Sequence, residues 1–220
     1  MTAISTKGTR IGLSNGAVVP VAVAITAIAA AVAAGGPASI TAANTLKAGD
    51  VVQFNSSTGF AALNNRALVV SEATAAEFKV VGAETFGSLE SMANGAKFTP
   101  YPAADLINLC LSSFDIAPGT SNEIDTSTYC GSGSILGKST PGTITLNGYV
   151  DKADLGFAEL LKAEEDGKPR VLNITLPGDL GWLVGVVTIG AISYTVPLEG
   201  AVGFSVQASQ NSAIKYLMKP

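Results

Sequence analysis

From Trp182 to Val196 the chain carries no charged side chain. Valine, isoleucine, threonine and aromatic residues, which suit a pleated sheet, recur through it. A neutral strand of this length is hazardous on an open sheet edge, where unpaired N–H and C=O groups recruit other chains. It is therefore expected to be buried in the fold or against a partner. On this ground Trp182, Val184, Val186, Ile192 and Tyr194 are candidate residues of a self-assembly interface, with Trp182 either core or subunit contact.

The remaining pattern is also that of a mainly β protein. Thr143–Val150 alternates cleanly, and Val202, Phe204, Val206 and Ala208 share one face of a last strand. Arg170–Leu176 is a strand turned by Pro177-Gly178-Asp179. Leu106–Leu111 is another, and Ser121–Lys138, polar and rich in Gly and Ser, reads as a long loop. Between residues 38 and 86 short strands recur about every ten residues, separated by turn signals such as Lys47-Ala48-Gly49-Asp50 and Asn64-Asn65. Residues 35–103 therefore read as a small β-barrel-like module with its linker. The module is inserted into a sandwich formed by residues 1–34 and 104–220, and is expected to decorate its surface.

Near the N-terminus, Thr9–Leu13, the turn Ser14-Asn15-Gly16 and the Val/Ala run to about residue 30 read as a hairpin. Val19, Val21, Val23 and Ile25 alternate with smaller residues, which favours strand. A cleaved signal ending at Ala31-Val32-Ala33 stays open as the alternative. That alternative would make the chain an exported adhesin or sugar-binding module. The run is short for a membrane span and is interrupted by Pro20 and Thr26.

One helix is expected over residues 151–167. Asp151 takes the N-cap with Asp154 three residues on, and Gly167 is the stop. Leu155, Ala158 and Leu161 share its apolar face, with Phe157 and Leu160 beside it. Glu159, Glu164, Glu165 and Asp166 face solvent.

The chemistry is sparse. The chain has no histidine, which removes the commonest general base and metal ligand. Ser–Lys or paired-carboxylate catalysis remains formally open, yet Asp151 with Asp154 reads as a helix cap. Gly131-Ser132-Gly133-Ser134 lacks the Gly-Lys-Ser/Thr of a phosphate loop. Cys110 and Cys130 fit no zinc spacing and read as two thiols, Cys110 buried, with a disulfide between them left open for an oxidising compartment. No catalytic, cofactor-binding or metal site is expected. Charged residues are 14% of the chain, against about 25% in an ordinary domain. The acidic excess lies late: residues 100–220 hold twelve acidic and seven basic groups, residues 1–99 five and six. No basic cluster offers a grip on phosphate.

An ordered set of segments carries a resemblance. Gly142-Thr143-Ile144-Thr145-Leu146 is followed by Asp151-Lys152-Ala153-Asp154-Leu155-Gly156. Leu160-Leu161 then leads to Gly167-Lys168-Pro169, before Leu172-Asn173-Ile174-Thr175-Leu176-Pro177 and two closing strands. This order resembles the major tail tube protein of long-tailed, siphovirus-like bacteriophages. Glu123-Ile124-Asp125-Thr126-Ser127 resembles that family's E-I-D-x-T segment in part, since Thr128-Tyr129-Cys130 departs from it. Glu123, Ile124, Asp125 and Thr126 join the candidate interface. The 35–103 stretch exceeds the family's usual loop and resembles small β modules inserted in phage structural proteins.

The resemblance implies a β-sandwich flanked by one helix, six copies per ring and rings stacked into a tube. Phage DNA would pass through the lumen without specific binding. It further implies a tape measure protein inside, tail terminator and distal tail proteins at the ends, no cofactor and no membrane. The location would be the virion tail, after synthesis in the host bacterial cytoplasm.

Overall fold

Alternation of apolar and polar residues commits more than half of the described residues to strands, and the computed structural model places seventeen of them among the residues it describes. These are residues 8–18, 20–29, 37–55, 63–81, 95–125, 134–212 and 214–219, with the backbone alone at 121–125, 134–139 and 215. The strands are β1 (Arg10–Ser14), β2 (Val23–Ala24), β3 (Ala27–Ala29), β4 (Ala38–Thr41), β5 (Val51–Phe54), β6 (Ala67–Ala73), β7 (Glu77–Val81), β8 (Lys97–Tyr101) and β9 (Leu106–Asn108). They continue as β10 (Leu111–Ala117), β11 (Thr120–Asp125), β12 (Ser134–Thr140) and β13 (Thr143–Tyr149). After the helix α1 (Leu155–Asp166) come β14 (Arg170–Leu176), β15 (Gly181–Thr195), β16 (Gly203–Gln210) and β17 (Lys215–Leu217).

Two β bodies result. The first follows the order β10-β13-β16-β15-β14-β1-β9, with β17 beside β15. Its fifteen-residue β15 belongs to two layers. Residues 181–187 pair with β14, and residues 187–195 pair with β16. β9 and β10 stand at the two ends of this path, yet only Leu109 and Cys110 separate them, and Leu109 N–H donates to the Ile11 carbonyl at 2.8 Å. The sheet thus folds over into a sandwich, with one layer of β9, β1, β14 and the front of β15, and the other of β10, β13, β16 and the back of β15. Leu13, Leu172, Ile174 and Val187 meet Ile144, Leu146 and Val206 between the layers. Phe157, Leu160 and Ala163 of α1 complete that core, and the Phe157 ring lies 5.0 Å from Phe204.

The second body runs β2-β8-β5-β6-β7-β4-β3. Its end strands β2 and β3 are one stretch of chain, in which Ile25 N–H bonds the Ala96 carbonyl and Thr26 N–H the Thr41 carbonyl, both at 2.9 Å. The sheet therefore closes on itself, which removes its edges. Phe54, Phe78 and Phe98 fill it.

The expected N-terminal hairpin is corrected here. β1 pairs with β14 and β9, and the Val/Ala run supplies β2 and β3 of the closed module. The turn at Ser14-Asn15-Gly16 is present, with Asn15 Oδ1 accepting from Ala17 N–H, but it hands the chain to the other body. The first boundary by sheet membership lies between Ser14 and Val23, not at residue 34. Alternation marks a strand and says nothing of its partner. Likewise the expected strand 106–111 splits into β9 and the start of β10, and the expected loop 121–138 contains the paired strands β11 and β12.

Nor is the module a surface decoration. Val171, Val184, Val186 and Leu217 of the sandwich share one buried cluster with the module's interior, and Trp182 and Leu106 pack against it. This explains why Arg170–Asn173 and Val184–Val187 are buried on both faces: one face meets the sandwich core, the other the module. β13, by contrast, has one solvated face and alternates cleanly.

Candidate assembly surfaces

The helix holds the sandwich through its ends and through a buried ion pair. Asp154 is the N-cap, its Oδ1 accepting from Gly156 N–H at 2.9 Å. Asp151, placed at the cap by sequence, instead closes the preceding turn by accepting from Ala153 N–H at 2.8 Å. Gly156 lets the helix start against β9, since a Cβ there would sit 2.5 Å from the Asn108 carbonyl oxygen. Gly167 ends the helix in the left-handed region at φ 60°, which glycine enters without a Cβ penalty.

The buried face is a second correction. It comprises Gly156, Phe157, Glu159, Leu160 and Ala163, while Leu155 is exposed and Leu161 is 38% exposed. Glu159, expected in solvent, is 1% exposed and faces the buried Arg170 across 3.3 Å. Its Oε1 also accepts from Gly16 N–H at 2.7 Å. Arg170 Nη2 reaches Asp166 Oδ2 at 2.6 Å, and this hydrogen bond, with a backbone N–H from Lys168, holds the Asp166 carboxyl below the usual carboxylate range. Burial raises the Tyr101 hydroxyl above its ordinary value.

The candidate interface residues divide. Val184 and Val186 are buried under the module, so their surface is already used within the chain and they are withdrawn as contacts for another copy. Trp182 is half-buried against the same cluster. Ile192 packs on the sandwich core, its N–H donating to Glu164 Oε1 at 3.0 Å. Tyr194 is half exposed near the end of β15. Glu123, Ile124 and Asp125 lie on β11, which among the described residues pairs only with β12 in a two-stranded sheet. Such a ribbon is marginal in water by itself. Thr126 and Cys130 lie outside the described residues. Cys110 is exposed, not buried, because β9 and β10 part at that point. Among the described residues no group of three His, Cys, Asp or Glu is placed to hold a metal ion.

Sequence reading passed over the surface that now stands out. In the layer β10-β13-β16-β15 the register aligns Ser113, Asn147, Ser205 and Ser193 in one row. Asp115, Thr145 and Gln207 form the next, and Ala117, Thr143, Ser209 and Thr188 a third. This outward face is a field of hydroxyl and amide groups. Those four strands contain no Lys or Arg, and Asp115 is their only charge. Among the described residues β10 ends the strand path and the back of β15 pairs with no strand but β16, so neither side of the layer has a strand partner, although Glu164 of α1 takes the Ile192 N–H on the β15 side. The signal was present in the polar half of each alternation, Thr-x-Thr-x-Asn in β13 and Ser-x-Gln-x-Ser in β16.

No protein-family model matches the chain, and no curated protein matches it. Among solved structures it is similar to the tail of the empty GTA particle, determined with C6 symmetry, at 17% identity and a TM-score of 0.41, over 52% of this chain and 87% of that one. It is similar to a chain of the native gene transfer agent virion at 18% identity and a TM-score of 0.40, over 51% and 89%. It is also similar to the SPP1 tail tube at 18% identity and a TM-score of 0.38, over 51% of this chain and 70% of that one.

Proposed function

We propose that this chain is a structural subunit of a phage-type tail tube, made in the host cytoplasm and resident in the virion tail. Copies join edge to edge into rings, six per ring as the sequence resemblance implies, and the rings stack around a channel that conducts DNA. The observation that carries this reading is the layer β10-β13-β16-β15, which among the described residues has no strand partner on either side and whose polar face holds no Lys or Arg. Pairing β10 of one copy with the free side of β15 in the next is a heterologous contact that can close into a ring. It satisfies both edges at once and builds a continuous barrel.

The hydroxyl and amide face then lines the channel. With no cation on it, DNA finds no phosphate grip, and one Asp115 per copy adds mild repulsion. The module, packed on the opposite layer, lies on the tube's outside. Within this reading a tape measure protein fills the channel before ejection, and terminator and distal tail proteins close the ends. The test is negative-stain electron microscopy of the purified chain at high concentration. Hollow tubes of uniform width are expected; a chain that remains monomeric at every concentration overturns the proposal.

A further inference from the structure

Strands β13 and β16 run the length of the polar layer, and the two ends of that layer differ. At one end the turn between β15 and β16 projects with Val196 exposed and Leu198 fully exposed, and Tyr149 and Tyr194 stand exposed at its base. Pro197 and Gly200, the latter at φ 107°, shape this tip, and Glu199 is its only charge. Apolar side chains left in water this way mark a contact surface. At the other end, where β10, β12 and β16 finish, lies a cleft of about 510 Å³. Ile116, Pro118, Pro141 and Ile214 give it apolar walls, and among the described side chains none that lines it is charged. Gln210 ties those walls together: its N–H donates to the Gly142 carbonyl at 2.9 Å and its Nε2 to the Ala117 carbonyl at 3.2 Å.

Tip and cleft are separated by the eight residues of β16, roughly 27 Å at 3.4 Å per residue. A copy displaced along the strands brings its tip to its neighbour's cleft. Given the tube assembly proposed above, on which this rests, we infer that the Val196–Leu198 tip of each copy seats in the Ile116/Pro118/Pro141/Ile214 cleft of the next copy along the axis. The contact is heterologous and does not close, so it propagates as a filament. Val196, Pro197 and Leu198 carry no charge, so they can enter the cleft without burying one, provided Glu199 stays at its solvated rim.

The test uses the full chain with Cys110→Ser and Cys130→Ser, carrying Leu198→Cys and Thr140→Cys together or singly, treated with a short bismaleimide. The two positions lie at opposite ends of one chain, so a link between them joins two copies. The expected result is a covalent ladder from the double variant and monomers from either single one. Leu198→Asp is expected to leave rings and to lower the number of tubes at least tenfold. Tubes without a ladder overturn this contact and leave the tube reading standing. Cross-linked dimers from Leu198→Cys alone mean a tip-to-tip contact and overturn it as well. Neither tubes nor ladder overturns both.

Discussion

Exchanging Leu160 and Leu161 separately for alanine tests which face of α1 is buried. Neighbouring residues of a helix point about 100° apart, so only one of the two can enter the core. Leu160 is fully buried beside Phe157 and Ala163, whereas Leu161 is 38% exposed. Leu160→Ala removes most of a buried side chain and leaves a cavity that its rigid β neighbours cannot fill, a loss of about 2–5 kcal/mol. Alanine's slightly better helix propensity returns only a few tenths of that. Leu161→Ala is expected to cost about 0.5 kcal/mol. In a chain of this size each kcal/mol lowers Tm by roughly 2–4 °C. The Leu160 variant should therefore melt roughly 4–20 °C lower and the Leu161 variant within about 2 °C of the parent. Urea titration followed by far-ultraviolet circular dichroism, on dilute monomer and with equal slopes, gives the two differences. Equal losses, or a larger loss at Leu161, would refute the assigned helix face.

Other outcomes can be checked with the same assays. Asp154→Ala should cost about 0.5–2 kcal/mol as the loss of an N-cap, and Asp151→Ala less, since Asp151 closes only the exposed preceding turn. The Asp166 carboxyl is depressed by Arg170, so its contribution is fully present above the unfolded carboxylate pKa. It is lost as pH falls through the lower folded value; an Asp166→Asn variant should show less acid destabilisation than the parent below the ordinary carboxylate range. Removing residues 37–103 strips the cover from Val171, Val184, Val186 and Leu217. At about 1.5–3 kcal/mol per side chain that approaches a whole domain's stability, and the truncated chain should aggregate on expression; a soluble, cooperatively folding product would contradict the shared core.

Much of this architecture was legible in the chain. β13 and β16 alternate because one face is core and the other solvent, and Gly167 marks the helix end because only glycine enters its conformation cheaply. The helix face was misread because Leu155, Leu160 and Leu161 are chemically alike and pairing alone decides which are covered. Glu159 is buried only because Arg170, eleven residues away, is folded against it, and no local spacing announces such a partner. The neutral run at β15 announces burial but leaves open whether the fold or another copy covers it. Its front half is neutral because the module covers it, while its back half has, among the described residues, no strand beyond β16. The polar rows of the candidate channel face were overlooked because serine and threonine at alternate positions are the usual solvated half of a strand. Their meaning emerges when four strands align them.

The central claim is that the Ser/Thr/Asn face of the β10-β13-β16-β15 layer is turned inward in the assembled tube and the module outward. In a Cys110→Ser, Cys130→Ser chain, Ser205→Cys on that face and Ala76→Cys on the module are labelled separately with biotin maleimide before assembly. The tubes are then offered to streptavidin-coated beads. Tubes labelled at position 76 should be captured and tubes labelled at position 205 should remain in solution until dissociated; capture of intact tubes through position 205 would contradict the account.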